Sequence, residues 1–483
     1  MNLSNLKLFE CDNNELIVAP SFQPSAPKFQ LRVFSASNCT PKPLEAGFPN
    51  FLHSQHDLML IDLSHNKFVG EPFPSWLFEN NRKLNRLYLR DTSFIGPLQL
   101  PQHPTPNLQT VDMSGNNIHG QVPRNICSIF PRLKNFMMAN NNLTGCIPLC
   151  FGNMSSLEYL DLSNNHMSCE LLEHNLPTVD SSLWFLKLSN NSFNGRLPPS
   201  VFNMTYLLYL LLDGNKFVGE VPDKKTLVEH GSMSRDYRDL EELFASIGFY
   251  PYDKTVLPEI NTKIAVELTE KKNFYTYEGD ILRYMFVVDL SCNKFTGEIP
   301  TEWGNLSGIY SLNLSHNNLT GLIPSSFFNL KQIESLDLSH NNLNGRIPAQ
   351  LVELTFLAIF NVSYNNLSGR TPEMKNQFGT FDESSYKGYP LLCGPPLQNS
   401  CDKTESPSAR VPNDFNGDGG FIDMYSFYAS FGVCYIIAVL TIAAVLCINP
   451  HWRRRWFYFI EECIDTCYCF LAINFRKLSR FRR

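Results

Sequence analysis

One phrase, repeated along most of this chain, limits what the chain can fold into. Ser335–Pro348 reads SLDLSHNNLNGRIP, and Ser311–Pro324 reads SLNLSHNNLTGLIP. Aligned on this phrase, repeats of about 24 residues start at Leu58, Leu84, Leu108, Leu133, Leu157, Leu183, Leu207, Met285, Ile309, Ile333 and Leu357. Two weaker copies start at Leu3 and Leu31, with Cys11 and Cys39 where the others have asparagine. The sequence therefore predicts a one-dimensional array of similar units.

The spacing of apolar residues within the repeat predicts a short strand. In the pattern LxxLxLxxN, the leucines point to one side of the strand and the intervening positions point to the other. One unit cannot bury its own apolar side, so the units must stack into a solenoid with a parallel sheet on its concave face. The asparagine can then satisfy backbone groups that stacking buries. The following LxGxIP stretch predicts a 3₁₀ or irregular flank, because glycine permits unusual backbone angles and proline removes a donor.

The complete phrase LxxLxLSxNxLxGxIP resembles the plant-specific class of leucine-rich repeat over roughly residues 2–372. The order of the parts resembles the plant receptor-like proteins: repeats, an island, FNVSYNNLSGRTP, a cap reading QFGTFDESSYKGYPLLCGPPL, an acidic stretch, an apolar segment and a short tail. This resemblance implies a kinase-less plasma-membrane receptor that recognises an extracellular peptide, protein or glycan. Such a receptor would act in defence or development and signal through recruited co-receptor kinases.

Changes in composition divide the chain into seven segments. Residues 1–222 form an N-terminal block of repeats, 223–284 a non-repeat island, and 285–372 a C-terminal block of repeats. Residues 373–401 form a cap, 402–424 an acidic juxtamembrane linker, 425–448 a transmembrane helix and 449–483 a short basic tail. The island is evident because a repeat is due near Gly231, whereas the next one starts at Met285.

The segment Tyr425–Ile448 is apolar and long enough to cross a bilayer as a helix. Three arginines follow at 453–455, so the positive-inside rule predicts a cytosolic C-terminus and extracellular repeats. Small residues recur every four positions and predict a helix-pairing face, formed by Ser426, Ser430, Cys434 and Ala438. The sequence thus predicts a single-pass type I membrane protein.

Sequons and cysteines agree with an extracellular solenoid. Glycosylation candidates with the pattern N-x-S/T are Asn142, Asn153, Asn203, Asn305, Asn313, Asn318, Asn361 and Asn366. Cys393 and Cys401, beyond the last repeat, are predicted to close a short disulfide loop in the cap. No pairing can be derived for Cys127, Cys146, Cys150, Cys169 and Cys292. The chain opens inside a repeat without an apolar signal peptide, which leaves a fragment, a mispredicted start and a degenerate copy as alternatives.

Candidate ligand-binding residues occupy the outward positions of the strands, which are the third, fifth and eighth of each repeat. Before the island these positions are varied and rich in aromatic and charged groups, the usual anchors of recognition surfaces. The candidates are Arg86, Tyr88, Asp91, Tyr159, Phe185, Lys187 and Tyr209, together with the island. After the island the same positions are uniform, and a glycan on Asn313 or Asn361 would crowd them.

The sequence argues against an enzyme and against nucleic-acid binding. No nucleophile, phosphate-loop or kinase motif is present, and the repeats carry no long basic run. The stretch DFNGDGGFIDMY matches the first half of a calcium loop but has Tyr425 where a glutamate is needed. We therefore predict no metal and no cofactor. The alternatives to a receptor are a non-signalling decoy or inhibitor-like binding module, and a non-functional truncated copy.

Overall fold

Thirteen short parallel strands form one sheet that runs through the repeats. The structure, a computed structural model, describes residues 5–14, 28–39, 48–68, 70, 72–177, 181–204, 206–222, 265–270, 273–278, 285–388, 391–399 and 401. Sheet order follows chain order: Leu8–Glu10, Val33–Ser35, Leu60–Asp62, Arg86–Tyr88, Thr110–Asp112, Asn135–Met137, Tyr159–Asp161, Phe185–Lys187, Tyr209–Leu211, Phe286–Asp289, Ile309–Asn313, Ser335–Asp337 and Ile359–Asn361. We call this the concave sheet. The predicted solenoid with parallel strands is confirmed.

The flank of each repeat adds shorter strands and single helical turns. One flank sheet contains Ile95–Pro97, Asn117–Gln121, Asn142–Gly145 and His166–Met167, and a second contains Asn194–Arg196, Lys216–Glu220, Lys294–Glu298 and Asn318–Thr320. Two smaller pairs follow, Asn344–Gly345 with Asn366–Leu367 and Gly369–Arg370 with Leu392–Cys393. The α-helical turns are Trp76–Asn80 and Ile126–Ile129. The 3₁₀ segments are Asn50–Ser54, Leu149–Asn153, Glu173–Asn175, Pro199–Asn203, Thr301–Asn305, Ser325–Asn329, Ala349–Glu353, Asn376–Gly379 and Glu383–Tyr386.

The main core lies between the concave sheet and the flank, and the repeated asparagine holds its backbone groups. Leu157, Leu160 and Leu162, at the three leucine positions of one repeat, are fully buried. In the same repeat the Asn165 Oδ1 accepts a hydrogen bond from the Leu143 N–H at 2.9 Å, and its Nδ2 donates to the Met138 carbonyl at 2.9 Å. Both partners belong to the preceding repeat. The asparagine satisfies buried backbone groups, as the repeat pattern predicted, and in doing so it joins two units.

The first repeat is in a different register from the one predicted. Leu8 pairs with Val33, which places the start of the repeat at Leu6 rather than Leu3. Asn14 then occupies the asparagine position, and its Nδ2 donates to the Cys11 and Asp12 carbonyls at 2.9 and 3.0 Å. The prediction that Cys11 takes this position is wrong. A start at Leu6 brings the distance to Leu31 close to the common period, and strand pairing requires that spacing.

The concave sheet continues across the insertion without a break. Tyr209 pairs with Val287, and the Asn293 Nδ2 donates to the Leu212 carbonyl at 3.0 Å. The last residue before the insertion is held by a buried tryptophan of the next repeat, because the Trp303 Nε1 donates to the Pro222 carbonyl at 3.2 Å. Within the insertion, Ala265–Glu270 and Asn273–Glu278 form an antiparallel hairpin. The rest of the predicted island lies outside the described residues.

Three disulfides are present in the described part of the chain. Cys127 is bonded to Cys150 and Cys146 to Cys169, so two staples connect successive repeats. Cys393 is bonded to Cys401 in the cap, the pair expected from the sequence. The cap also covers the last repeat, because the rings of Phe378, Phe381 and Tyr386 lie 5.0 to 5.9 Å from that of Phe360.

The membrane segment and its neighbours cannot be compared with the structure. The predicted linker 402–424, transmembrane helix 425–448, tail 449–483 and pairing face of Ser426, Ser430, Cys434 and Ala438 lie outside the described residues. Among the residues that are described, no helix has the length and apolar character needed to span a bilayer.

Candidate ligand-binding site

The concave sheet presents two different surfaces along its length. Strands of the N-terminal repeats carry charged groups near their ends, and strands on either side of the insertion carry aromatic and aliphatic groups. We name the first the charged patch, formed by His65, Arg86, Arg90 and Asp91. We name the second the aromatic cluster, formed by Tyr159, Trp184, Phe185, Tyr209, Leu211, Met285 and Val287.

The charged patch is organised around the carboxylate of Asp91. The His65 Nδ1 lies 3.2 Å from the Asp91 Oδ2, and the Arg90 Nε lies 3.6 Å from the same oxygen. About half of each of these three side chains is exposed. Because the pairs are solvated, they contribute at most about 1 kcal/mol each to stability and remain available to a partner.

A glycine in the next repeat makes room for this carboxylate. A Cβ on Gly115 would lie 1.7 Å from the Asp91 Oδ1, and Gly115 has a φ of +70°. Any side chain at position 115 would therefore displace the Asp91 carboxylate. The sequence analysis did not include Gly115, although it stands where the same position of neighbouring repeats carries Asp91 and Asn140.

Two buried aspartates lie behind the charged patch. Asp62 and Asp112 each accept a hydrogen bond at 2.9 Å from a backbone N–H, donated by Ser64 and Ser114 respectively. Burial raises the pKa of both carboxyls, and the bonds from the serines oppose this rise in pKa. These aspartates fix the ends of their strands, and the more exposed charged side chains of the patch are those of His65, Arg90 and Asp91.

The aromatic cluster differs from what the sequence predicted. Tyr159, Phe185 and Tyr209 are 4, 1 and 0 % exposed, so the expectation that they are open concave positions is wrong. Tyr88 is also buried. The physical reason is lateral packing of large side chains on adjacent strands. The Tyr159 and Phe185 rings stack 4.0 Å apart, and the Phe185 and Tyr209 rings lie 5.4 Å apart.

The cluster extends to residues that sequence reasoning missed. Trp184 precedes Phe185, and its ring lies 5.6 Å from that of Tyr159. Met285 and Val287 continue the apolar surface onto the first strand after the insertion. The available signal was the recurrence of large apolar residues at the third position of consecutive repeats, a pattern that a solvated strand face lacks.

Two lysines border the cluster. The Lys134 Nζ lies 2.6 Å from the Glu158 Oε1, and burial raises the pKa of Glu158 while Lys134 opposes the rise in pKa. Lys187 is half-buried, and its charge favours the ionised form of Asp213. Burial nevertheless raises the pKa of Asp213. The aromatic cluster is therefore a buried part of the concave sheet, and the charged groups of Lys134 and Lys187 lie at its border.

The sequons fall at different depths. Asn153, Asn305, Asn318 and Asn366 are exposed, and Asn142, Asn313 and Asn361 are half-buried. Asn203 ends a 3₁₀ segment, and its side chain lies outside the description. Across the described ranges, no group of three or more histidine, cysteine or acidic side chains is arranged to hold a metal ion.

Comparison with known proteins gives a consistent result. A leucine-rich-repeat family model matches residues 106–167, 285–343 and 307–367, and a second matches residues 182–204. The chain is 34 % identical to Cuscuta receptor 1 of Solanum lycopersicum over 95 % of its own length and 57 % of that protein. It is 32 % identical to Receptor-like protein 14 of Arabidopsis thaliana over 96 % of its own length and 66 % of that protein. The chain thus spans roughly three-fifths of the length of these curated relatives.

Solved structures share the same architecture. The ectodomain of the Arabidopsis thaliana receptor kinase GASSHO1/SCHENGEN3, in complex with CASPARIAN STRIP INTEGRITY FACTOR 2, matches 83 % of this chain and 43 % of that one. That match has a TM-score of 0.61 and 28 % identity. The PEPR1–AtPEP1 complex covers 80 % of this chain and 49 % of its own, with a TM-score of 0.56 and 24 % identity, and shows the fold alone.

Proposed function

Because this chain belongs to the leucine-rich-repeat receptor-like proteins of plants, we propose that it is a cell-surface receptor for an extracellular ligand. In this proposal the concave sheet binds the ligand, and separate receptor kinases recruited through the membrane-proximal part produce the signal, in defence or development. The whole protein is a single-pass plasma-membrane glycoprotein with extracellular repeats and a cytosolic C-terminus.

The observation that carries the proposal is the accessible charged patch on the concave sheet. The Arg90 side chain is about half exposed, and Arg86, which lies on the same strand of the concave sheet, is partly exposed. A peptide with an acidic side chain or a free carboxylate can pair with an arginine there. GASSHO1/SCHENGEN3, which shares the solenoid, was solved in complex with CASPARIAN STRIP INTEGRITY FACTOR 2, and this supports ligand binding by the repeats.

Selection from a random peptide display library on the purified chain tests the binding step. We expect enriched peptides whose affinity falls by about tenfold or more in Arg86→Ala, since a bond to a charged group is worth roughly 1.5–3 kcal/mol. Arg346→Ala, an exposed arginine of the flank, is the matched control and should bind normally. Peptides that bind both variants equally would place the site elsewhere.

Kinase recruitment is tested separately from binding. The full chain, expressed in plant cells, is precipitated with and without an enriched peptide, and receptor kinases are counted by mass spectrometry. Association that depends on the peptide supports a receptor. Peptide binding without any associated kinase would instead favour a decoy.

A further inference from the structure

Two repeats of the C-terminal block each contain two sequons, one on the concave sheet and one on the flank. Asn313 and Asn361 end strands of the concave sheet, whereas Asn318 and Asn366, each five residues later, begin strands of the flank. These two repeats therefore contain two internally matched pairs. The members of each pair share the same backbone unit and differ in the face they occupy.

The concave member of the first pair has both ends of its amide engaged. The Asn313 Nδ2 donates to the Asp289 Oδ2 at 3.1 Å, across to the neighbouring strand. Its Oδ1 accepts from the backbone N–H of Ser315 at 3.1 Å. Ser315 is the hydroxyl residue of this same sequon and is buried. The acceptor atom and the hydroxyl residue are thus both part of the folded sheet.

The second pair repeats this arrangement. The Asn361 Nδ2 donates to the Asp337 Oδ2 at 3.0 Å, and its Oδ1 accepts from the Ser363 N–H at 3.2 Å and the Ser363 Oγ at 2.8 Å. Ser363, the hydroxyl residue of the sequon, is also buried. By contrast, Asn318 and Asn366 are exposed, and Thr320, the hydroxyl residue of the Asn318 sequon, is exposed too.

We propose that the folded repeats sort these sequons: Asn318 and Asn366 carry N-linked glycans, and Asn313 and Asn361 remain unmodified. Transfer from a lipid-pyrophosphate oligosaccharide donor forms a bond between the asparagine Nδ2 and the sugar C1. It breaks the bond between C1 and the pyrophosphate oxygen, and releases the lipid pyrophosphate and one amide proton. The flank asparagines are exposed, whereas the Nδ2 atoms of Asn313 and Asn361 each donate to an aspartate of the neighbouring strand.

A sugar that is added to the unfolded chain interferes with the same hydrogen bonds when the chain folds. A sugar on the Asn313 Nδ2 replaces one of its two protons and must fit beside the hydrogen bond to Asp289, on a strand about 4.8 Å from its neighbour. Losing that bond leaves a buried carboxylate with one fewer donor, which disfavours the folded state. The same bond is lost at Asn361, whose partner Asp337 is half-buried, so folding favours chains in which Asn313 and Asn361 are unmodified.

The consequence is a division of the molecular surface. Glycans lie on the flank at Asn318 and Asn366, and exposed Asn153 and Asn305 end 3₁₀ segments away from the concave sheet. The concave sheet of the C-terminal repeats stays bare and open to a protein partner. This inference rests on the proposed extracellular location, and it does not depend on the charged patch.

Site-by-site mass spectrometry tests the sorting. The full chain is given a cleavable secretion leader, expressed in plant cells and purified as folded protein. It is then deglycosylated in ¹⁸O-water, so that each formerly occupied asparagine becomes labelled aspartate. We expect occupancy at Asn313 and Asn361 to be about tenfold or more below that at Asn318 and Asn366, the factor expected for opening one bond to a charged group.

Two variants test whether the hydrogen bond of the asparagine amide is the cause of the low glycan occupancy. Asp289→Ala removes the acceptor of the Asn313 amide and should raise occupancy at Asn313 alone, while Asp337→Ala should raise it at Asn361 alone. Equal occupancy at Asn313 and Asn318 in the unaltered protein would overturn the inference, as would an absence of glycan at both flank sites. Failure of peptide binding in the library experiment would leave this result unchanged, so the two proposals fail independently.

Discussion

At the scale of the residue, the glycine of LxGxIP has two roles. It adopts a positive φ, and it gives space to the side chain of the preceding repeat. A Cβ on Gly195, Gly297 or Gly321 would lie 2.5 to 2.8 Å from the side chain of Glu170, Glu220 or Glu298 respectively. At these three positions glycine leaves room for the glutamate side chain of the preceding repeat, because a residue with a Cβ would displace that side chain.

Substitution at two glycines separates these roles. Gly120 and Gly297 have similar φ values of +84° and +80°, but a Cβ on Gly120 meets nothing within 4 Å. We expect Gly120→Ala to cost about 1 kcal/mol from backbone strain, and Gly297→Ala to cost about 1–2 kcal/mol more from contact with Glu220. Thermal unfolding of both variants measures the difference. Equal losses of stability in the two variants would show that the contact with Glu220 does not contribute to the cost of the substitution.

The close approach at the glycine position also explains the Cys146–Cys169 disulfide, which the spacing of the cysteines alone did not predict. Cys169 stands at the glycine position of its repeat, and Cys146 is the side chain that faces this position from the preceding repeat. The close approach that elsewhere demands glycine here brings two sulfur atoms together. A cysteine at the glycine position, one repeat after a cysteine at the next position, was the signal available in the sequence.

A buried carboxylate beside the insertion predicts a pH dependence of stability. Burial, with the neighbouring Asp213, raises the pKa of Asp289 to about 7. Because this pKa is raised by folding, the folded state keeps a proton that the unfolded chain releases above about pH 4. Stability is then greatest at acidic pH and falls as pH rises toward 7, by up to about 1.4 kcal/mol per unit.

Unfolding midpoints between pH 5 and pH 8 check this dependence. We expect the midpoint to fall across this range, and Asp289→Asn to flatten the curve because it removes the titrating group. Asp337→Asn is the matched control. Asp337 holds the same repeat position as Asp289, but the preceding repeat has Ser315 at the position that Asp213 occupies before Asp289. A midpoint that rises with pH would contradict the assignment.

At the scale of the element, the insertion follows the flank strand Lys216–Glu220 and leaves the strands of the concave sheet in place. The chain leaves at Pro222 and returns at Met285, and the strands on either side pair directly. The sequence predicted this interruption because a repeat is due near Gly231, whereas the leucine phrase resumes only at Met285. Period-two alternation alone does not show that the aromatic cluster is buried, and the signal for burial was the recurrence of large apolar residues on successive strands.

Replacing residues 223–284 with residues 301–308, the flank of the next repeat, tests whether the solenoid is independent of the insertion. We expect a folded protein, stabilised by about 1–2 kcal/mol because the shorter connection costs less closure entropy. Circular dichroism and thermal unfolding measure the outcome. Loss of cooperative unfolding would show instead that the insertion is part of the core.

The first repeat shows a second limit at this scale. Two leucines, Leu3 and Leu6, can each begin the phrase, and the choice depends on pairing with the strand Val33–Ser35. Sequence within one unit cannot decide a register that the next unit imposes. Repeats with the full phrase did not have this ambiguity, and their strands lie where the leucines predicted.

At the scale of the whole molecule, the repeats form a quasi-one-dimensional array in which each unit contacts its neighbours. The stability of such an array is approximately the sum of the stabilities of the single repeats and of the interfaces between neighbours. A disulfide between two repeats therefore stabilises mainly those repeats. The two inter-repeat disulfides join the units around Cys127, Cys146 and Cys169, immediately before the aromatic cluster. They hold together the part of the concave sheet that lies between the charged patch and the insertion.

Removing one inter-repeat disulfide should therefore lower the stability of the repeats that it joins and leave the terminal repeats unchanged. In Cys146→Ser/Cys169→Gly, which restores the glycine of the repeat, we expect a loss of about 3 kcal/mol, the value for a loop of this length. Hydrogen exchange should show faster opening in residues 133–177, with protection retained in residues 285–388. The matched control, Cys393→Ser/Cys401→Ser, should loosen only the cap. Uniform loss of protection from end to end would mean that the repeats unfold as one unit, because coupling between neighbours then exceeds the contribution of the staple.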